Sequence, residues 1–111
     1  MPKDRSGQIV VIFLSIRTDA DDAGYGEAAD AMESLAAVQP GYCGIESTRG
    51  PEGLGITLSF WADTASALCW RDHPEHAAIR DAGRDRWYQR YEVIVCEAQR
   101  SYAWQRSGEA A

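Results

Sequence analysis

Residues 58–95 read LSFWADTASALCWRDHPEHAAIRDAGRDRWYQRYEVIV, and they hold three of the four tryptophans and both histidines between two apolar strand patterns. Asp63 is a good N-cap, so Thr64–Arg71 reads as a short helix. Asp72 or His73 followed by Pro74 starts a second one, because proline is favoured at the first helical position. The helical region is therefore broken near His73. Carried from Pro74 to Trp87 at the helical period, the second piece places His76, Ile79, Arg80, Gly83 and Trp87 within a sector of roughly 100°. Asp81, Arg84 and Asp85 fall on the other side, which makes the first face the inward one. Trp61, Trp70 and Trp87 beside His76 and Arg80 suggest a lined cavity, since a buried indole N–H needs a partner and an inward His or Arg is costly without one.

Outward from this stretch, the rest of the chain supplies strands and one long helix. Gln8–Arg17 is rich in Ile, Val and Phe and reads as a strand. Tyr25, Ala28, Ala29, Met32, Leu35 and Ala36 recur at helical steps, with Glu27, Asp30 and Glu33 on the solvated side and Pro40-Gly41 as the stop. Tyr42–Arg49 and Leu54–Trp61 flank Gly50-Pro51-Glu52-Gly53, which has the turn chemistry of a hairpin. Tyr91–Tyr102 supplies the closing strand. The order βαββ, two helical pieces, then β is a ferredoxin-like α+β plan. The first and closing strands are apolar on both faces, yet the few helices can cover only one face of the sheet. The second cover is most simply another subunit, so the expectation is a homodimer joined sheet to sheet. One domain spans residues 1–104, and 105–111 reads as a loose polar tail.

Length and charge narrow the function. A chain of 111 residues fits one domain, which buries roughly 65% of the surface its unfolded form exposes. A net charge of −6 with 45% apolar residues argues for a soluble globular protein and against a phosphate-backbone binder. The apolar run Ile9–Leu14 is too short for a secretory core, which implies a cytoplasmic protein. Cys43, Cys69 and Cys96 are odd in number and far apart, so they read as reduced, buried thiols and not as a disulfide framework or a metal site. His73 and His76 form an H-x-x-H pair without the further ligands that zinc needs. The glycines at 50, 53 and 55 lie in a hairpin and not between a strand and a helix, so they make no nucleotide-binding loop.

The strand ending in SFW, the helix carrying ALCWRDHPEH, the following AAIRDAGRDRWY and the strand YEVIVCEAQRSY resemble the antibiotic biosynthesis monooxygenase domain family. That resemblance implies a dimeric α+β barrel. Its members include cofactor-independent oxygenases of phenols and quinols as well as haem-degrading enzymes. The haem-degrading members carry an asparagine on the first strand, a tryptophan matching Trp70, and an iron-ligating histidine ten residues beyond it. Here the tenth residue is Arg80, which has no lone pair to offer iron, and the chain contains no asparagine. Only Trp70 carries over, so haem is disfavoured and the expected enzyme needs no cofactor.

The resulting expectation is a small homodimeric monooxygenase acting on an aromatic phenol or quinol with molecular oxygen. His76 would take the phenolic proton, while Arg80 would keep the imidazole neutral and stabilise the phenolate. Trp61, Trp70 and Trp87 would wall the substrate. Ser59 joins them as a donor if the small, polar face of its strand (Gly55, Thr57, Ser59, Trp61) looks at the helices. The alternative is a non-catalytic dimer that binds a hydrophobic or haem-like ligand, and the tryptophans of a purely structural dimer would fill their own core.

Overall fold

The computed structural model describes residues 4–106. Its elements are β1 (Ile9–Arg17), α1 (Asp22–Ala37), β2 (Tyr42–Arg49), β3 (Leu54–Trp61), α2 (Thr64–Arg71), α3 (Pro74–Ala82), a π-helical turn (Gly83–Trp87) and β4 (Tyr88–Glu97). The four strands form one antiparallel sheet in the order β2-β3-β1-β4, the ferredoxin-like arrangement. Both strands of the predicted hairpin have the bounds expected from sequence.

The caps explain where the helices begin. Asp63 accepts a bond from the Ser66 amide at 2.8 Å and starts α2. His73 Nδ1 accepts from the Glu75 amide at 3.2 Å, and Pro74 occupies the first turn of α3. The chain between these helices is thus broken at the predicted place. Asp21 caps α1 from a left-handed conformation (φ 54°), its side chain accepting from the Gly24 amide.

Two expectations are corrected. The closing strand begins at Tyr88 and ends at Glu97, not at Tyr91 and Tyr102. Its pairing partner sets that end: Ile9, the first residue of β1, lies opposite Glu97, so the ladder runs out there. Only Cys43 among the cysteines is even half-buried, while Cys69 and Cys96 are exposed, because β4 is an edge strand and α2 shows Cys69 to solvent. Of the expected tail, Gln105 and Arg106 are exposed without regular structure, and residues 107–111 lie outside the described ones.

Register assigns the two sheet faces. Ile9, Val11, Phe13 and Ser15 share a face with Trp61, Ser59, Thr57 and Gly55 of β3 and with Glu97, Val95, Val93 and Tyr91 of β4. This face meets the helices, for Ile9 and Trp61 pack with Ala36 of α1, and Val11, Ala67 and Trp70 close around them. On the other face Val10, Ile12 and Leu14 run beside Ile56, Leu58 and Phe60. No helix covers it, and Leu54, Ile56 and Ile94 are 47%, 38% and 37% exposed.

Candidate functional site

The small, polar face of β3 does look at the helices, and it brings Ser59 under Trp61. Trp61 is fully buried and donates its indole N–H to Ser59 Oγ at 3.0 Å. Its ring stacks on Trp70 with centroids 5.8 Å apart, and Trp70 stacks in turn on His76 at 4.4 Å and 14°. Four of the predicted site residues therefore form one continuous pile: Ser59, Trp61, Trp70 and His76. The two tryptophans fill the end of the core rather than walling an open cavity. The hollow beside Trp70, between Pro40 and Cys69, measures about 200 Å³ and does not include His76. That is below the few hundred Å³ of a usual ligand pocket.

His76 is held in a defined chemical state. Its Nδ1 lies 2.9 Å from the Trp70 carbonyl oxygen, which can only accept. Nδ1 therefore carries the proton, and in the neutral ring Nε2 keeps its lone pair. Burial pushes the His76 pKa below that of a free imidazole. The carbonyl bond opposes that shift, and the positive charges of Arg80 and His73 add to it. Arg80 thus acts on His76 in the expected direction, though less than burial does. Its own Nη1 donates to the Arg71 carbonyl at 3.2 Å, which ties the end of α2 to α3.

Trp87 is not part of this pile. The helical period that would carry it round to the His76 face changes at Gly83, where the chain passes into the wider π turn. Trp87 packs instead against Tyr25 (6.0 Å) and donates its N–H to Asp21 Oδ2 at 3.2 Å. That bond, followed by the one from the Gly24 amide, holds the Asp21 carboxyl below the usual carboxylate range.

Around Trp87 lies a second cluster that the sequence reading did not identify. Arg49 Nη2 donates to Ser15 Oγ at 2.9 Å and to the Tyr25 hydroxyl at 3.1 Å, and Nη1 donates to the Ser15 and Gly53 carbonyls. Arg17 lies over the other part of this cluster, its guanidinium 3.9 Å from the Tyr25 ring centroid. Tyr88 packs edge-on against both Tyr25 and Phe13. Burial, then the neighbouring Tyr25, pushes the Tyr88 hydroxyl pKa well above that of a free phenol. Gly55 makes the arrangement possible, because a Cβ there would lie 2.4 Å from Arg49 Cζ. A glycine inside β3, one residue from its start, and a serine within the apolar run of β1 were the available signals.

Between the two clusters the sheet is open along β4. Val93 and Val95 sit on the helix-side face yet are 50% and 63% exposed. Val95 lies directly across from Val11, which packs against the core around Trp61 and Trp70. An apolar floor therefore runs from the pile to the free edge of the sheet.

The model of the antibiotic biosynthesis monooxygenase family matches residues 8–82. The chain belongs to that family. The antibiotic biosynthesis monooxygenase domain here is 45% identical over 95 residues to YqjZ, an uncharacterized protein of Bacillus subtilis (strain 168), covering 86% of this chain and 82% of that one. Among solved structures, SnoaB of Streptomyces nogalater, a cofactor-independent oxygenase, is similar with a TM-score of 0.69 at 14% identity, over 94% of this chain and all of that one (100%). A conserved protein of Methanosarcina mazei Go1 superposes with a TM-score of 0.76 at 9% identity, over 85% of this chain and 95% of the other. At these identities the structural likenesses establish the fold. Among the described residues, no helix is long and apolar enough to cross a membrane.

Proposed function

We infer that this domain oxidises an electron-rich aromatic phenol or quinol with molecular oxygen, as a homodimer and without a bound cofactor. The observation that carries this reading is the state of His76. It is a neutral imidazole with Nδ1–H committed to the Trp70 carbonyl, so Nε2 is left as a base. The resemblance to SnoaB, a cofactor-independent oxygenase, supports it at the level of reaction class. We place the substrate on the apolar floor of Val93 and Val95, which joins the Trp61–Trp70 pile through Val11. His76 Nε2 removes a proton and leaves an electron-rich anion. The anion passes one electron to oxygen, giving a substrate radical and superoxide. These combine through a new C–O bond into a peroxide anion, which takes the proton back from His76. For an anthrone, loss of water from this hydroperoxide leaves the quinone carbonyl, so one oxygen atom enters product and the other leaves as water. Arg80, one helical turn from His76, offsets the developing negative charge.

The dimer rests on the helix-free sheet face, whose central strands carry Val10, Ile12, Leu14, Ile56 and Leu58, with Phe60 at its end already covered by Arg5. Association of two such faces removes this apolar surface from water. The test of the activity is oxygen uptake against anthrones and hydroquinones by wild type and His76→Ala. Turnover that depends on His76, with an acidic limb to its pH profile, supports the reading. Equal turnover and an unchanged pH profile in the variant would remove His76 as the base, and binding of these compounds without oxygen consumption would favour a non-catalytic carrier.

A further inference from the structure

The pile of Trp61, Trp70 and His76 does not end inside the core. On its far side the Tyr42 ring stands edge-on to Trp61, with centroids 5.9 Å apart and planes at 79°. Together with the Trp61–Trp70 contact at 5.8 Å, this makes an unbroken run of oxidisable rings from the His76 face to Tyr42. Both steps lie within the roughly 4.5–7 Å at which aromatic rings touch. Trp61, in the middle, is fully buried, whereas Trp70 and Tyr42 at the two ends are half-buried. Tyr42 also lines a hollow of about 360 Å³ with Asp30, Glu33, Ser34 and Ala37, and no other member of the pile reaches it.

Hydrocarbon side chains could fill the same core without an indole N–H to satisfy. What a Trp–Trp–Tyr run adds is the capacity to pass a single electron. An indole that loses one becomes a radical cation that its stacked neighbour refills. A tyrosine at the end of the run traps the deficit, because it also sheds its phenolic proton. The rings around Trp87 form a separate group, in which Trp87 meets Tyr25, Tyr25 meets Tyr88, and Tyr88 meets Phe13 and Tyr91.

We propose that Trp70, Trp61 and Tyr42 form a one-electron relay, which carries oxidising equivalents from the His76 end of the pile to Tyr42, where a small reductant such as a thiol or ascorbate discharges them. The proposed oxygen chemistry supplies the oxidant, and to that extent the inference rests on that reading. When superoxide escapes before it combines, the substrate radical takes up molecular oxygen and becomes a peroxyl radical. Trp70 gives it one electron and protonated His76 gives it the proton, so it leaves as a hydroperoxide and His76 returns to its neutral form. Trp61 refills Trp70, and Tyr42 refills Trp61. The Tyr42 hydroxyl releases its proton into the hollow that it shares with Asp30 and Glu33. A hydrogen atom from the reductant then restores Tyr42, and no bond to the protein has formed or broken apart from that O–H.

The test needs no substrate. Azide radicals made by pulse radiolysis oxidise accessible tryptophans, and transient absorption distinguishes tryptophanyl from tyrosyl radicals. The full chain carries Trp104→Phe, because Trp104 is 73% exposed and would react first. Trp61 and Trp87 are buried, so Trp70 is then the tryptophan within reach. The expected result is decay of the tryptophanyl radical with matching growth of a tyrosyl radical, at a rate independent of protein concentration. Tyr42→Phe keeps a ring against Trp61 and should remove at least half of the tyrosyl yield. Tyr25→Phe, which takes away the tyrosine beside Trp87, should leave that yield unchanged. An equal yield in Tyr42→Phe, or its loss in Tyr25→Phe, overturns the relay. Should circular dichroism show Tyr42→Phe unfolded, Trp61→Phe repeats the test, with persistence of the tryptophanyl radical expected and undiminished transfer to tyrosine overturning the path. With transfer to Tyr42 observed and no oxygen consumed by anthrones or hydroquinones, the relay stands and the oxygenase reading alone falls.

Discussion

The bond between Trp61 and Ser59 permits a sharp test of how the His76 pile is held. Trp61→Phe keeps a ring against Trp70 but removes the N–H that Ser59 Oγ accepts at 3.0 Å. Ser59 is only 9% exposed, so water does not readily replace the lost donor. Leaving a buried polar group unpaired costs about 1–3 kcal/mol. Losing about 40 Å² of buried apolar surface with the smaller ring adds about 1 kcal/mol at roughly 25 cal/mol per Å². The expected cost of Trp61→Phe is therefore about 2–4 kcal/mol, a large share of the ~5–15 kcal/mol that holds a typical domain. In a Ser59→Ala background the hydroxyl is absent, and only the apolar part, about 1 kcal/mol, remains. Urea unfolding followed by far-UV circular dichroism measures all four corners of the cycle. Protomer concentration is held fixed, because an associating protein gains stability by mass action. Equal costs of Trp61→Phe in the wild-type and Ser59→Ala backgrounds would show that the bond contributes nothing, and that packing alone positions Trp61 and the Trp70–His76 stack above it.

Three further outcomes follow from the same geometry. Arg49→Met removes the donors that satisfy Ser15, Gly53 and Tyr25, and is expected to cost about 2–4 kcal/mol in urea unfolding, because several partly buried acceptors lose partners at once. Asp63→Ala deletes the cap of α2 and should cost about 1 kcal/mol, with Asp63→Ser recovering most of it. His76 has its pKa lowered in the folded state, so between that value and the ordinary imidazole value the unfolded chain binds more protons. Its contribution to stability is therefore lost as pH falls below the unfolded pKa. Thermal midpoints of wild type should decline from pH 7.5 to pH 5 more steeply than those of His76→Gln, and parallel curves would contradict the burial argument.

Local chemistry determined much of this protein from sequence alone. Apolar periodicity located β1, β2, β3 and α1, while Asp63, His73 and Pro74 marked the starts of α2 and α3 because capping is a short-range hydrogen-bond preference. The apolar character of both faces of β1 likewise announced an uncovered sheet face, since burial must be matched by cover. Tertiary structure decided which aromatic residues meet. Trp61, Trp70 and His76 stack because register turns Trp61 toward the helices, whereas Trp87 departs because α3 widens into a π turn at Gly83, and a fixed helical period does not anticipate that change. The Arg49–Ser15–Tyr25 knot joins residues from β2, β1 and α1, and no spacing along the chain encodes such a meeting. The end of β4 was also a tertiary matter. Residues 98–102 follow the apolar run of β4 without a glycine or proline to mark a stop, but a strand continues only while a neighbour offers hydrogen bonds, and β1 begins at Ile9, leaving only Gly7 and Gln8 to hold Ala98.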